Sequence, residues 1–248
     1  MKKEIIQDKY AILSCSGGMD SSTLLLRCLK DGYKCKIVNF NYGSVQNNIE
    51  HTYLFKNITY LSEKGYNVDY QSYDLSSVMG NFKSSLIRDN METPKEEYNS
   101  ENQPTIFVDN RNMIFYSLVA GIASTLYRDT ECEVKIAMGV HARDNNEPCY
   151  PDCTPEFFKL VHQAFKSGNY ENKVELFIPY ANQTKLDILK DGFVCCKELG
   201  LDFNEFYKNT ISCYTPVGDK SCGECPTCLE RLNAFKSLGL EDPTQYIK

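Results

Sequence analysis

No stretch of the 248 residues approaches the roughly 20 consecutive apolar side chains that span a bilayer. Behind the two lysines of Met1-Lys2-Lys3-Glu4-Ile5-Ile6-Gln7 there is no apolar run of the kind that directs export. The expectation is a cytoplasmic chain with no membrane partner. The sequence has no proline-rich, glycine-rich or single-charge tract, which argues against a long disordered segment, and no internal repeat. It has no basic excess either. The 27 Lys and Arg stand against 33 Asp and Glu, a net charge of -6, so the chain is not expected to bind nucleic acid directly, which relies on clustered cations facing phosphates. A small-molecule substrate fits better. Finally, G-x-x-x-x-G-K-[ST] occurs nowhere, so a nucleotide has to be held by something other than a Walker loop.

What is present is an ordinary globular balance, 42% hydrophobic and 24% charged, with 12 cysteines. In a chain of this length without an export signal, cysteines are better read as reduced thiols and metal ligands than as a disulfide framework. The apolar run Tyr10 to Cys15 has strand length and leads through Ser16-Gly17-Gly18-Met19-Asp20-Ser21-Ser22 into the helical Thr23 to Leu29. Lys36 to Asn41 reads as a second strand, a helix follows Tyr42-Gly43 and is stopped by Gly65, and Val68 to Tyr73 reads as a third strand. Residues 88 to 108 are polar, with Pro94 and Pro104, and read as an exposed loop. An apolar helix from about Arg111 to Tyr127, a strand Val134 to Met138, a polar loop Val140 to Cys153, a helix from about Pro155 to Lys166, a strand near Val174 to Ile178 and two more helices complete the order. Strands separated by helices predict a doubly wound parallel α/β sheet, with ligands at the carboxyl ends of its strands.

The glycine turn sits where a phosphate grip belongs. Two glycines let successive N–H groups point inward, and the next helix offers its positive end. Asp20 is the odd member, since a carboxylate repels phosphate unless a cation such as Mg²⁺ lies between them. The competing reading is a plain glycine turn with Asp20 or Ser21 as helix cap. The string SGGMDSS resembles the PP-loop of the N-type ATP pyrophosphatases, the fold of GMP synthetase, asparagine synthetase and several tRNA-modifying enzymes. That resemblance implies cleavage of ATP between its α- and β-phosphates. It also implies a nucleotide site formed by Leu13, Ser14, Cys15, Ser16, Gly17, Gly18, Met19, Asp20, Ser21, Ser22 and Thr23 together with Asn41, Tyr42 and Gly43.

Cys213, Cys222, Cys225 and Cys228 form a second constellation. C-x₂-C-x₂-C puts three thiolates on one tight knuckle, and a fourth from nine residues upstream can close a tetrahedron around Zn²⁺. An iron–sulfur cluster is the rival, but position 232 is Leu232 where the bacterial spacing needs a cysteine. We expect one PP-loop domain over residues 1–248, with about 205–248 as a zinc-braced helical subregion. Cys15, Cys28, Cys35, Cys132, Cys195 and Cys196 read as core residues; Cys149 and Cys153 stand in the polar loop without partner ligands.

The loop after the fourth strand supplies the substrate candidates. His141, Asp144, Tyr150 and Asp152 lie there, and Arg111 and Asn112 open the long helix. Carboxylates can accept hydrogen bonds from a guanine-like edge, Tyr150 can stack on a flat ring, and Arg111 can neutralise a carboxylate or phosphate. Each has a plain alternative: Asp152 a helix cap or solvated acid, His141 a structural hydrogen-bonder, Arg111 a surface ion pair.

SGGMDSS, the NYG after the second strand, RN before an apolar helix, GVHARD, YPDC with PEF, SCY, CGECPTC, and Arg231-Leu232-Asn233-Ala234-Phe235 with Asp242-Pro243 occur in that order over about residues 10 to 246. Together they are similar to the 7-cyano-7-deazaguanine synthase family, QueC. The resemblance implies conversion of 7-carboxy-7-deazaguanine to the nitrile with ATP and ammonia, through an adenylated acid and an adenylated amide, by a zinc-containing homodimer. By the same resemblance Ser16, Asp20 and Lys185 serve catalysis, although an exposed lysine at a helix start is an equal reading of Lys185. Two positions depart from the family, Thr154 where arginine is usual and Ile211 where tryptophan is usual, and the loop from Asp144 to Tyr150 is longer. The alternatives carried forward are an enzyme that stops at the amide and a ligase that attaches the deazaguanine to a protein in an antiviral system.

Overall fold

The computed structural model describes residues 8–87, 91, 93, 95, 103–141, 150–170 and 172–247. Five parallel strands, β1 (Lys9–Ser14), β2 (Lys34–Asn41), β3 (Asp69–Asp74), β4 (Glu133–Met138) and β5 (Val174–Phe177), lie in the order β3-β2-β1-β4-β5. The helices between them are α1 (Met19–Lys30), α2 (Asn47–Glu63), α3 (Ser76–Met79), α4 (Gln103–Ile106), α5 (Arg111–Thr130) and α6 (Pro155–Ser167). After the sheet come α7 (Lys185–Leu199), α8 (Phe203–Tyr207) and α9 (Pro226–Ser237). The doubly wound sheet is as expected, with strand ends within two residues of the sequence reading.

Alternation along the central strands sorts the core into two layers. Ala11 and Leu13, Cys35 and Ile37, and Ala137 face one side, where α1, α2, α7, α8 and α9 cover them. Ile12, Val38, Phe40, Val134, Ile136 and Met138 face the other, under α5 and α6. Both faces of β1 are therefore apolar, as a strand at the middle of a parallel sheet requires. Cys15, Cys28, Cys35, Cys132, Cys195 and Cys196 are buried, as read from the sequence. The order in which strands are added switches direction between β1 and β4, so the crevice outside their carboxyl ends is where such a sheet binds ligands.

Within the polar stretch 88–108, residues 103–106 are helical, and Pro151–Cys153 in the second loop forms a 3-10 turn. The last helix, α9, starts directly on the cysteine knuckle with Cys225 as its N-cap and Pro226 at its first position, where proline's missing N–H costs nothing.

One buried ion pair pins this last helix. Arg231 is 1% exposed, and its Nε donates to Asp242 Oδ2 at 2.7 Å. The remaining guanidinium hydrogens reach Thr210 Oγ1 at 2.8 Å, the Tyr207 carbonyl at 3.1 Å and Thr244 Oγ1 at 2.6 Å. Helix α9, the 207–210 turn and the C-terminal tail are thus tied at one cation. Burial disfavours the Asp242 carboxylate, but the Arg231 charge and the hydrogen bonds outweigh it and hold the carboxyl below its usual range. A folded pKa below the unfolded value, about 3.9, adds stability above that pH that is lost as pH falls through the folded value. Asp242→Asn leaves the guanidinium buried without a countercharge. It is predicted to cost about 3–5 kcal/mol at pH 7, read by urea denaturation, with the difference from wild type shrinking at acid pH.

Candidate functional site

The turn after β1 is built by its glycines. Gly17 has φ +99°, and a Cβ there would stand 2.5 Å from the Glu50 carbonyl oxygen, so the α2 backbone packs directly on the turn. Ser16 Oγ accepts from Gly18 N–H at 3.2 Å, and Ser21 Oγ accepts from Ser16 N–H at 3.3 Å. Helix α1 starts at Gly18 with no side-chain cap, so neither Asp20 nor Ser21 plays the capping role considered from sequence. Across the crevice, a Cβ on Gly139 would stand 2.9 Å from Ser21 Cα. The end of β4 and the first turn of α1 therefore touch backbone to backbone.

Asp20 is turned instead toward a charged cluster. Its Oδ2 accepts from Lys185 Nζ at 2.6 Å and lies 3.5 Å from His141 Nδ1. Glu230 closes the circuit, with Oε1 at 3.2 Å from His141 Nε2 and Oε2 at 3.6 Å from Lys185 Nζ. Lys185 is therefore not an exposed helix-start residue but 7% exposed, fixed by the Thr184–Asp187 capping box that begins α7. Burial alone would lower its pKa; Asp20 and then Glu230 overcome that and raise it, so the ammonium stays charged. Asp20 Oδ1 is buried and has no hydrogen-bond partner. A free carboxylate oxygen beside a phosphate grip is a donor suited to Mg²⁺.

These groups line one cavity of about 260 Å³ at the carboxyl ends of β1, β2 and β4. Ser14, Ser16, Gly18, Met19, Asp20, Ser21 and Tyr42 from the expected nucleotide set line it. So do Arg111, Asn112, His141, Tyr150 and Lys185 from the substrate and catalytic sets. Leu13, Cys15, Gly17, Ser22, Thr23, Asn41 and Gly43 do not. The Leu13 and Cys15 side chains belong to the core, and Thr23 Oγ1 is used at 2.7 Å by the buried Tyr207 hydroxyl. Asp144 lies outside the described residues, as does Cys149.

Arg111 is half-buried, stands over the Tyr42 ring at 5.9 Å and is held charged against burial by Tyr42 and then Asp152. It is no surface ion pair. Asp152 is 6% exposed, and Thr154 rather than Asp152 caps α6, by accepting from Phe157 N–H at 3.2 Å. Burial raises the Asp152 pKa against the pull of Arg111. Asn112 spends its amide on the Asp152 carbonyl at 3.1 Å, so it shapes the 3-10 turn. The Tyr150 ring stacks on Phe107 at 6.1 Å, a flat shelf at the cavity wall. Gln46, Glu50, Phe115, Ile211, Ser212, Thr227 and Glu230 also line the cavity and were not named as site residues from sequence. Signals were present in the helical spacing of Gln46 and Glu50, in Ile211 as a departure beside the SCY motif that holds Ser212, and in Thr227 within CGECPTC.

The four cysteines converge. One sulfur from each of Cys213, Cys222, Cys225 and Cys228 lies within 4.8 Å of the others, and Cys222 and Cys228 are 4.0 Å apart. Tetrahedral zinc with Zn–S bonds of about 2.3 Å needs sulfurs about 3.8 Å apart, so the set fits zinc. Amides of Cys222 and Cys225 donate to Cys213 and Cys222 sulfurs at 3.2 and 3.3 Å, as a thiolate knuckle requires. This module also roofs the cavity. Met19 N–H donates to Ser212 Oγ at 3.3 Å, Ile211 N–H donates to the Gly17 carbonyl at 3.1 Å, and the Thr227 hydroxyl bonds the Ser212 carbonyl. Gly17→Ala forces both a positive φ and the contact with Glu50 to give way. It is predicted to cost more than about 1 kcal/mol of stability and to weaken ATP binding at least tenfold, measured by thermal melting and calorimetric titration.

Comparison with known proteins converges on the same residues. The family model described as queuosine biosynthesis protein QueC matches residues 10–239. The 7-cyano-7-deazaguanine synthase 2 of Colwellia psychrerythraea is 37% identical over 96% of this chain and 99% of its own. The synthase of Pseudoalteromonas translucida is 35% identical, covering 93% of this chain and 95% of its own, and that of Caldicellulosiruptor saccharolyticus 35%, covering 95% of each. Since the match runs unbroken from the glycine turn past the fourth cysteine, through every segment that lines the cavity, the chain belongs to the QueC family.

Proposed function

We propose that this chain is a 7-cyano-7-deazaguanine synthase, an ATP-dependent ligase that converts 7-carboxy-7-deazaguanine and ammonia to the nitrile. Family membership supports the substrate class. The observation that carries the chemistry is the junction of a phosphate-type turn, the Asp20–Lys185 pair and Arg111 in one cavity. Ser16, Gly18, Ser21 and the N-terminus of α1 would hold the departing pyrophosphate, with Lys185 neutralising its charge. Asp20 would hold Mg²⁺ through Oδ1; when bound, the ion offsets phosphate charge as it develops. Arg111 would receive the substrate carboxylate, the Phe107–Tyr150 shelf its flat ring, and Asp152 with Asp144 the guanine-like edge.

Hydroxide and oxide are poor leaving groups, and this decides the order of events. The carboxylate oxygen attacks the α-phosphorus of ATP, pyrophosphate leaves, and ammonia displaces AMP to give the amide. The amide oxygen is adenylated in turn, and loss of AMP with two protons leaves the C≡N bond. Preorganised donors act best where charge develops, which is the place of Ser16 and Lys185. On the same reading the chain is a cytoplasmic homodimer that acts on small molecules and not directly on nucleic acid. Residues of about 205–248 form its zinc-binding part.

Incubating the protein with 7-carboxy-7-deazaguanine, ATP, Mg²⁺ and ammonium tests this by mass spectrometry. The expected product weighs one water less than the amide; accumulation of amide alone would favour the shorter reaction, and no deazaguanine product would sink the reading. Asp20→Asn should lower AMP formation at least a hundredfold while the protein still melts cooperatively. The purified protein is expected to carry one zinc per chain by elemental analysis, and Cys225→Ser to lose both the metal and solubility; a soluble, zinc-free, cooperatively melting variant would refute the structural role.

A further inference from the structure

Glu50 is a cavity carboxyl to which the proposed chemistry gives no role, as it gives none to Glu230 and His141. It projects from the first turn of α2, whose backbone at Glu50 closes on Gly17, and it lines the cavity with Tyr42 and Arg111. It thus stands between the phosphate turn and the cation that would receive the substrate carboxylate. Among the described residues its carboxyl takes no hydrogen bond, and Arg111 is the charge that acts on it. The Asp20 and Glu230 carboxylates, by contrast, are committed to Lys185 and His141. A half-buried carboxyl that faces a reaction cavity without a fixed partner is free to exchange a proton with what enters it.

We propose that Glu50 is the base that takes a proton from ammonium, so that ammonia can attack the adenylated carboxyl carbon. This rests on the synthase reading of the same cavity. Ammonium is mostly protonated at neutral pH and has no lone pair to attack with, so the reaction needs a nearby acceptor. The Glu50 carboxylate takes one proton. The freed lone pair forms the C–N bond, the C–O bond to AMP breaks, AMP departs with that electron pair, and the second proton lost by nitrogen passes to water. Burial supports the assignment by pushing the Glu50 carboxyl up to about 8, against the opposing pull of Arg111. A base poised near the working pH accepts a proton from ammonium far better than an ordinary carboxylate does.

Hydroxylamine separates this role from a purely structural one, because it is already unprotonated at neutral pH and traps the same acyl-adenylate as a hydroxamate. The test compares wild type and Glu50→Gln for amide formation from ammonium and hydroxamate formation from hydroxylamine, with acid-dependent pyrophosphate release measured alongside. In the variant, ammonium turnover should fall by about 10²- to 10⁴-fold, the usual worth of general base catalysis. Hydroxamate formation and pyrophosphate release should change less than about threefold. The ratio of the two nitrogen nucleophiles within one preparation does not depend on how much of the variant folds, and Glu50→Asp should give an intermediate ratio. A ratio unchanged in both variants overturns the assignment, since Glu50 would then act on folding, on adenylation or as a countercharge to Arg111. A wild-type protein that forms neither product from the acid overturns the synthase reading itself. An active wild type with an unaltered variant ratio overturns only the base.

Discussion

Two backbone contacts between distant parts of the chain hold the site together. Ile211 donates its N–H to the Gly17 carbonyl at 3.1 Å, and Met19 donates its own to Ser212 Oγ at 3.3 Å. The glycine turn has few internal constraints, since the bonds within it are serine hydroxyl contacts that span two to five residues. What fixes it is the segment carrying Cys213, pressed on it from one side, and the α2 backbone at Glu50 on the other. Asn57 on α2 also reaches the Asn209 carbonyl at 3.1 Å, so the two clamps bond each other. An unsatisfied buried amide costs about 1–3 kcal/mol, enough to keep this segment seated against the modest entropy of a long connection.

The electrostatics of the cavity follow from that seating. A site for an anionic nucleotide and an anionic acid holds Asp20, Glu50 and Glu230, three acids, against Arg111, Lys185 and His141. Left ionised and unpaired, the acids would repel both ligands. Two of them are instead spent on Lys185 and His141, and burial raises the pKa of the third. Arg111 and Lys185 remain charged in spite of burial. The cavity is therefore suited to negative ligands although the chain as a whole is acidic, and net charge said nothing about the local field.

How far all this could be read from sequence depended on the range of the interactions. Strand, glycine turn and helix sit within 22 residues of one another, between Lys9 and Lys30, and local spacing placed the strand and the helix end within a residue, although α1 begins at Met19, four residues before the Thr23 expected. The four cysteines were legible because their spacing alone specifies a knuckle. Lys185 was ambiguous because its meaning comes from Asp20, 165 residues away, and from a burial that no helix-start pattern announces. Glu230 was invisible for the same reason: beside Cys228 it reads as a solvated helix acid until α9 is turned so that it meets His141. Ile211 was noted as a departure from the family but not as part of the site. The fold makes its backbone a clamp on Gly17 while its side chain, 1% exposed, lies in the small cluster around the cysteines.

The phosphate turn and the cysteine knuckle solve one problem in the same way. Each is a short loop opening a helix, α1 in one case and α9 in the other. Each turns on a glycine at positive φ, Gly17 at +99° and Gly223 at +81°. A residue with a Cβ is strained there, and the benefit of the strain-free bend is that successive amides converge on one point. In the knuckle that point is occupied by sulfur, and the Cys225 amide already meets Cys222 Sγ at 3.3 Å. In the turn the Ser16, Gly18 and Met19 amides meet the hydroxyls of Ser21, Ser16 and Ser212. The difference lies in permanence. Thiolates are covalently part of the chain, so the knuckle can stay formed between turnovers, whereas on the proposed function the turn would release its anion each cycle and could not rely on it for shape. Stacking the permanent device on the transient one through Ser212 and Thr227 gives the turn a rigid backing that its own ligand cannot provide. It also accounts for why a cysteine set that fits a structural metal lies beside a site whose chemistry does not call for one.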